Sequence, residues 1–347
     1  MLREKVIHKV PYSVLLIGLG KVGFQYDEAE SVDAPVCLTH ASAFFQDQRF
    51  KILAAIDPSH DVGVRFTGKY SLPTYASLAE EIKDAIKNID VVVIATPTAT
   101  HASVFEKISS LNPKVIIFEK PVTESLKALE NIQSIREKAL PNAHYLVNYF
   151  RSLSSAMGVL KQAIEQGFYG DLIQGQINYC RGFLNNGSHF FDLFLSLFDK
   201  ARVSHVQMNQ YHGGFGQSDL NIDAYIHLSS GLSVICTCFP EDAFFSGRLT
   251  LYMTQGILVI DERGHVLFSR AEQSPFGDDV PGLPQLIDEI NFSQPFNGLL
   301  NYVAARLEKS EGSPINHLDR FSEILEVFFL LKNCVLKESR EIEHVGH

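Results

Sequence analysis

The sequence predicts an α/β domain on a parallel sheet, followed by an α+β domain on a predominantly antiparallel one. Three observations predict it. Short apolar runs alternate with segments of helical spacing through the first 149 residues, the first run feeds directly into a Gly-x-Gly-x-x-Gly pattern, and period-two alternation takes over in the second half. We therefore place a first domain at 1–149 and a second at 150–347, consistent with about 150 residues per domain.

The runs at 13–18, 51–57, 90–95, 114–119 and 144–149 are mostly rich in β-branched residues. They lack strict alternation, as strands buried on both faces do. Helical spacing fills 77–87, 100–111 and 123–139. In Leu15-Leu16-Ile17-Gly18-Leu19-Gly20-Lys21-Val22-Gly23 the glycines fit a strand, a tight turn and a helix start. Gly18 permits the turn, Gly20 leaves room for a pyrophosphate, and Gly23 lets the helix pack against the strand. This is the signature of a Rossmann dinucleotide-binding domain, with Lys21 and Val22 in the loop around the phosphates.

Asp57 ends the second run, where a dinucleotide fold places a carboxylate on the adenosine ribose. No arginine stands immediately beside it, and its charge opposes a 2′-phosphate, so NAD is favoured over NADP. The alternative is a helix N-cap. Asp57 lies farther from Gly18 than the roughly 20 residues expected, so residues 24–39 read as an insertion, either a lid or a solvated loop. The helical pattern resumes at His40.

In an open parallel sheet the C-terminal strand ends share one edge, where ligands bind. That edge collects Thr96-Pro97-Thr98 with His101, then Glu119-Lys120-Pro121. Asn148-Tyr149-Phe150-Arg151 and Asn185-Asn186-Gly187-Ser188-His189-Phe190-Phe191-Asp192 follow. With these motifs the chain resembles the Gfo/Idh/MocA oxidoreductase family over essentially its whole length. The resemblance implies a large, open C-terminal sheet that mediates homodimers or homotetramers. It also implies hydride transfer between NAD(P) and a sugar or cyclitol carbon. Lys120 and His189 then match the catalytic lysine and histidine. Glu119 and Pro121 place the lysine, Thr96, Pro97, Thr98 and His101 join the cofactor set, and Arg151 matches the arginine that opens the second domain. Arg151 and Asn185 complete the substrate set with Lys120 and His189.

The chemistry suits these types. Histidine titrates near neutrality and can take a hydroxyl proton, and a lysine can stabilise the developing oxyanion or serve as the base itself. Asn185 stands where many members carry Asp, which shifts weight from His189 towards Lys120. Asp192 is placed either to partner His189 or to satisfy its helix N-terminus. The insertion and the Asn-Asn-Gly-Ser-His run are similar to members associated with bacterial surface-polysaccharide synthesis. That implies a nucleotide-linked sugar, with oxidation at C3 as one option. The alternatives are an inositol or free-monosaccharide dehydrogenase, a non-catalytic dinucleotide-binding regulator, and an oxidoreductase that retains its cofactor.

Residues 152–166 read as a helix and 171–182 as a strand. Alternation recurs at 221–228, 232–239 and 249–260, with turns at 229–231 and 262–264 and loops at 213–216 and 270–283. A final amphipathic helix carries apolar residues at 318, 321, 325, 328 and 335. Cys236 and Cys238 share one strand face with Leu232 and Val234, which reads as core, and no second pair completes a metal site. A net charge of −10 argues against nucleic acid. The scattered cysteines and the lack of any ~18-residue apolar run predict a cytoplasmic protein with no membrane segment.

Overall fold

The computed structural model describes residues 10–79, 86, 88–198, 201–216, 218–240, 245–292, 294–308 and 316–345. Contacts divide the chain into two compact units, 1–148 with 296–316 and 149–295 with 317–347. The chain therefore returns to its first unit after most of the second, a return that a single cut at 149/150 does not contain.

The first unit holds six parallel strands. They are β1 (Tyr12–Ile17), β2 (Phe50–Ile56), β3 (Thr74–Tyr75), β4 (Val91–Ile94), β5 (Val115–Phe118) and β6 (His144–Val147). Their order is β3-β2-β1-β4-β5-β6, which reverses direction between β1 and β4, the switch point where dinucleotide folds bind. Every residue of β4 and β5 is buried, which explains why they read as continuous apolar runs. The helices are α1 (His40–Gln46), α2 (His60–Tyr70), α3 (His101–Ile108) and α4 (Leu126–Ala139). The helix expected at 77–87 falls largely outside the described residues. Ile17 pairs with both Ile56 and Ile94, and Ile94 with Phe118, so these strand ends finish level. Gly18, Asp57, Thr96 and Lys120 follow them onto one edge.

The second unit begins with α5 (Ser155–Glu165), β7 (Leu172–Tyr179) and α6 (Ser188–Leu197). Eight strands follow: β8 (Val203–Phe215), β9 (Asp219–Leu228), β10 (Ser233–Cys238), β11 (Arg248–Met253), β12 (Gly256–Ile260), β13 (His265–Gln273), β14 (Asp279–Pro281) and β15 (Gln285–Glu289). In chain order α7 (Asn297–Glu308) comes next and belongs to the first unit, where Asn301 accepts from Arg49 Nη2 at 2.9 Å; α8 (Leu318–Val345) closes the second. The nine strands run β14-β13-β12-β11-β7-β10-β9-β8, with β15 also on β13. All pairs are antiparallel except β7 with β10. From Leu220 in β9, and throughout β10 to β12, burial alternates residue by residue, and Cys236 and Cys238 fall on the buried side with Val234. Burial raises both thiol pKa values, Cys238 to about 12. Among the described residues no His/Cys/Asp/Glu group could hold a metal, and no helix is long and apolar enough to cross a membrane.

Three expected elements differ. Residues 249–260 form the hairpin β11–β12, whose turn at Thr254-Gln255 carries none of the usual turn residues; the signal is Gly256, at φ +145°, where a Cβ would lie 2.2 Å from Ser269 O. The stretch 270–283 is partly β13 and β14, paired at Ala271–Gln273; its polar, edge-strand residues hide the alternation. Gly213 and Gly214 lie inside β8, at a register shift against β9, and not in a free loop.

Candidate active site

The edge of the first sheet opens into a cavity of about 810 Å³. Gly18 sits at φ +96°, and a Cβ there would fall 2.5 Å from the Ala95 backbone, so only glycine lets the turn after β1 pass that close to β4. A Cβ on Gly20 would meet nothing within 4 Å, which leaves the space a pyrophosphate takes. Gly23 packs inward, its missing Cβ 2.2 Å from Gly18 O. Lys21, Val22, Asp57, Thr96, Pro97, Glu119 and Lys120 line the cavity with Gly18 and Gly20, and these residues fit a dinucleotide.

Gly23, Thr98 and His101 are not among the lining residues. The His101 ring nitrogens lie 3.0 Å from Val122 O and 2.8 Å from Thr96 O, so it braces the loops that follow β4 and β5. Burial lowers its pKa against the pull of those two carbonyls. Asp57 accepts from Leu19 N at 2.8 Å and Ser59 N at 2.9 Å, and the N-cap of α2 is Ser59. The carboxylate thus fastens the glycine-rich turn to the end of β2 while facing the cavity.

The insertion interrupts the first helix without displacing it. Phe24 N donates to Gly20 O, one helical turn; the chain departs, and His40 N and Ala41 N then donate to Val22 O and Gly23 O, each at 3.0 Å. Helix α1 is therefore stacked on the glycine-rich turn as its continuation. The buried Asp27 carboxylate holds the excursion down, accepting from Leu38 N at 2.9 Å, Thr39 Oγ1 at 2.7 Å and Ser42 Oγ. None of the described residues lining the cavity comes from 24–39, and the segment is clamped by Asp27 as a surface loop.

That docking also delivers His40, which sequence reasoning did not assign to the site. Its Nε2 donates to Glu119 Oε1 at 2.7 Å, and Asn148 Nδ2 donates to the same oxygen at 2.6 Å. Burial pushes the Glu119 pKa up, but these two donors and the Lys120 charge outweigh it and hold the carboxyl below its ordinary value. The sequence signal for Asn148 was its place at the end of β6, level with Glu119 after β5.

In the second unit β7 runs into a wide turn, Phe183–Gly187, and then α6. Asp219, also unassigned from sequence, accepts from the backbone of Leu184, Asn185 and Leu220 at 2.8–2.9 Å and fixes this turn. Asn185 is exposed, and its side chain donates to Arg181 O at 3.0 Å. His189 is buried in α6, edge-on to Tyr149 at 5.2 Å and Phe150 at 5.8 Å. Asp192 partners neither His189 nor the helix terminus. It accepts from Ser152 Oγ at 2.5 Å and from Arg320 Nε at 2.9 Å. Arg151 lies buried beside Phe150.

Residues 12–141 match the model of the oxidoreductase family with an NAD-binding Rossmann fold, Gfo/Idh/MocA. No curated protein matches the chain. A dehydrogenase from Chromobacterium violaceum shares 16% identity with a TM-score of 0.71, over 97% of this chain and 98% of its own. A candidate NADPH-dependent oxidoreductase from Desulfitobacterium hafniense shares 15% at a TM-score of 0.70, over 92% and 94%. A myo-inositol 2-dehydrogenase from Lactobacillus plantarum shares 15% at 0.65, over 91% and 94%. At such identities these likenesses show the fold. Residues 12–141, with their glycine-rich turn and Glu119-Lys120 edge, thus carry the NAD-binding Rossmann domain of the Gfo/Idh/MocA oxidoreductase family.

Proposed function

We propose that the protein is an NAD-dependent dehydrogenase acting on a ring carbinol of a sugar or sugar derivative, a nucleotide-linked sugar among the candidates. The observation that carries the reading is Lys120, which lines one cavity with Gly18, Gly20 and Asp57. Bound there, the nicotinamide would supply the hydride acceptor. Lys120 is suited there to stabilise negative charge on a substrate oxygen, and proton acceptance is the role proposed for His189 in the second unit. Glu119, held by His40 and Asn148, fixes the strand end that carries Lys120. Asp57 favours NAD, because its carboxylate repels a 2′-phosphate and no arginine is among the described lining residues.

The test is absorbance at 340 nm with NAD or NADP and a panel of free, acidic and nucleotide-linked sugars. myo-Inositol is included because of the Lactobacillus neighbour. NAD reduction with one sugar class is expected. Lys120→Ala should lower kcat by about 100- to 1,000-fold and leave NAD affinity nearly unchanged. Tight NAD binding with no turnover would favour a dinucleotide-binding regulator.

A further inference from the structure

Arg151 is a buried cation without a counter-ion among the described residues. It is 8% exposed, and its guanidinium carbon lies 4.6 Å from the Phe150 ring, 4.9 Å from Phe190 and 5.4 Å from Phe292. These rings attract the charge, yet they are weak substitutes for oxygen acceptors on its five N–H donors. Burial alone acts on its ionisation, lowering the pKa to about 10, and neither a hydrogen bond nor a neighbouring charge offsets it. Arg151 therefore remains a cation at neutral pH. Asp192, which accepts from Ser152, the residue after Arg151, is committed to that hydroxyl and to Arg320. Charged groups this deeply buried are ordinarily paired.

The geometry points to Arg151 as the receptor for a substrate carboxylate, which makes the ligand of the second unit a sugar acid and not a neutral polyol. A planar carboxylate matches the guanidinium fork with two parallel hydrogen bonds, and its single charge balances the single cation, whereas a phosphate monoester brings about −1.5 to −2. Arg151 and His189 both contact the Phe150 ring, at 4.6 Å and 5.8 Å, so the proposed carboxylate receptor stands beside the proposed proton acceptor. A neutral sugar leaves the N–H groups unanswered, which penalises it. The inference rests on the reading of this unit as substrate-binding.

Calorimetric titration of the purified full chain tests it, with glucuronate, galacturonate, glucose, glucose 6-phosphate and NAD as probes. At least one uronate should bind at least about tenfold more tightly than glucose. Arg151→Met should abolish that preference without changing NAD affinity, and Arg151→Lys, which keeps charge but loses the fork, should fall between and decide the matter where Arg151→Met does not fold. Equal affinity for uronates and glucose, no binding of either uronate, preference for the phosphate, survival of the preference in Arg151→Met, or loss of NAD affinity in that variant each overturns the proposal. Uronate binding through Arg151 with no change at 340 nm would defeat the dehydrogenase reading and leave this one standing. Turnover of a neutral sugar with no uronate binding would do the reverse.

Discussion

Each unit holds a charged group largely out of solvent at its candidate site, and the two are treated in opposite ways. In the first, the Glu119 carboxylate receives hydrogen bonds from His40 and Asn148 on a single oxygen. In the second, the Arg151 guanidinium has no hydrogen-bonding partner among the described residues and lies among three phenyl rings. A buried charge with fixed donors is part of the scaffold, because its desolvation is offset in the resting protein. One without them is less stable than it would be with a ligand in place. The difference separates a residue that shapes the site from one that waits for a group to bind.

The largest break in that comparison is Glu119→Leu. It leaves the His40 and Asn148 donors buried without an acceptor, and we expect a loss of about 3 kcal/mol, read as the shift of the urea midpoint. The pH dependence sharpens it. The folded pKa of Glu119 lies below the ordinary value, so the unfolded chain takes up its proton first and stability rises with pH through this window. The contribution is complete above the unfolded pKa of about 4.3 and is lost as pH falls through the lower folded value. Wild type should therefore lose stability on acidification below about pH 4.5 more steeply than Glu119→Gln. Parallel curves for the two proteins would mean that the carboxylate is not held charged.

Asp27→Ala is the next largest. Three donors, two of them buried, lose their acceptor, and the expected cost is about 2 kcal/mol with faster proteolysis within 28–38. Because no described residue of 24–39 lines the cavity, NAD affinity should stay within about twofold of wild type. A large loss of NAD affinity would show that the clamp also holds the glycine-rich turn.

What could be read from sequence follows the range of the forces involved. The first sheet was legible because β1, β2, β4 and β5 are buried apolar runs and because Gly18 and Gly23 have backbone neighbours that forbid a side chain. The edge that carries Asp57, Thr96 and Lys120 followed from parallel strands ending level. The polar edge of the second sheet was not legible, since β14 and β15 are largely exposed and carry no buried face. Nor were the supporting groups. His40 meets Glu119 only because α1 resumes on the glycine-rich turn after the excursion, and Asp192 turns from His189 to Arg320 across 128 positions of sequence. Partner choice among side chains distant in the chain is a property of packing, and no spacing rule encodes it.

Arg151→Met gives the smallest effect and the reverse sign. Methionine keeps an unbranched stem against Phe150, Phe190 and Phe292 and removes a charge that no described residue compensates. Replacing a poorly compensated buried ion with an apolar side chain is commonly neutral or stabilising, so we expect a gain of about 1 kcal/mol in the ligand-free protein. The same change should cost uronate affinity, and the two effects together are the mark of a residue retained for a ligand at the expense of the fold. Should Arg151→Met instead destabilise as much as Glu119→Leu, the cage would be a structural element in its own right, and the contrast between the two buried charges would fail.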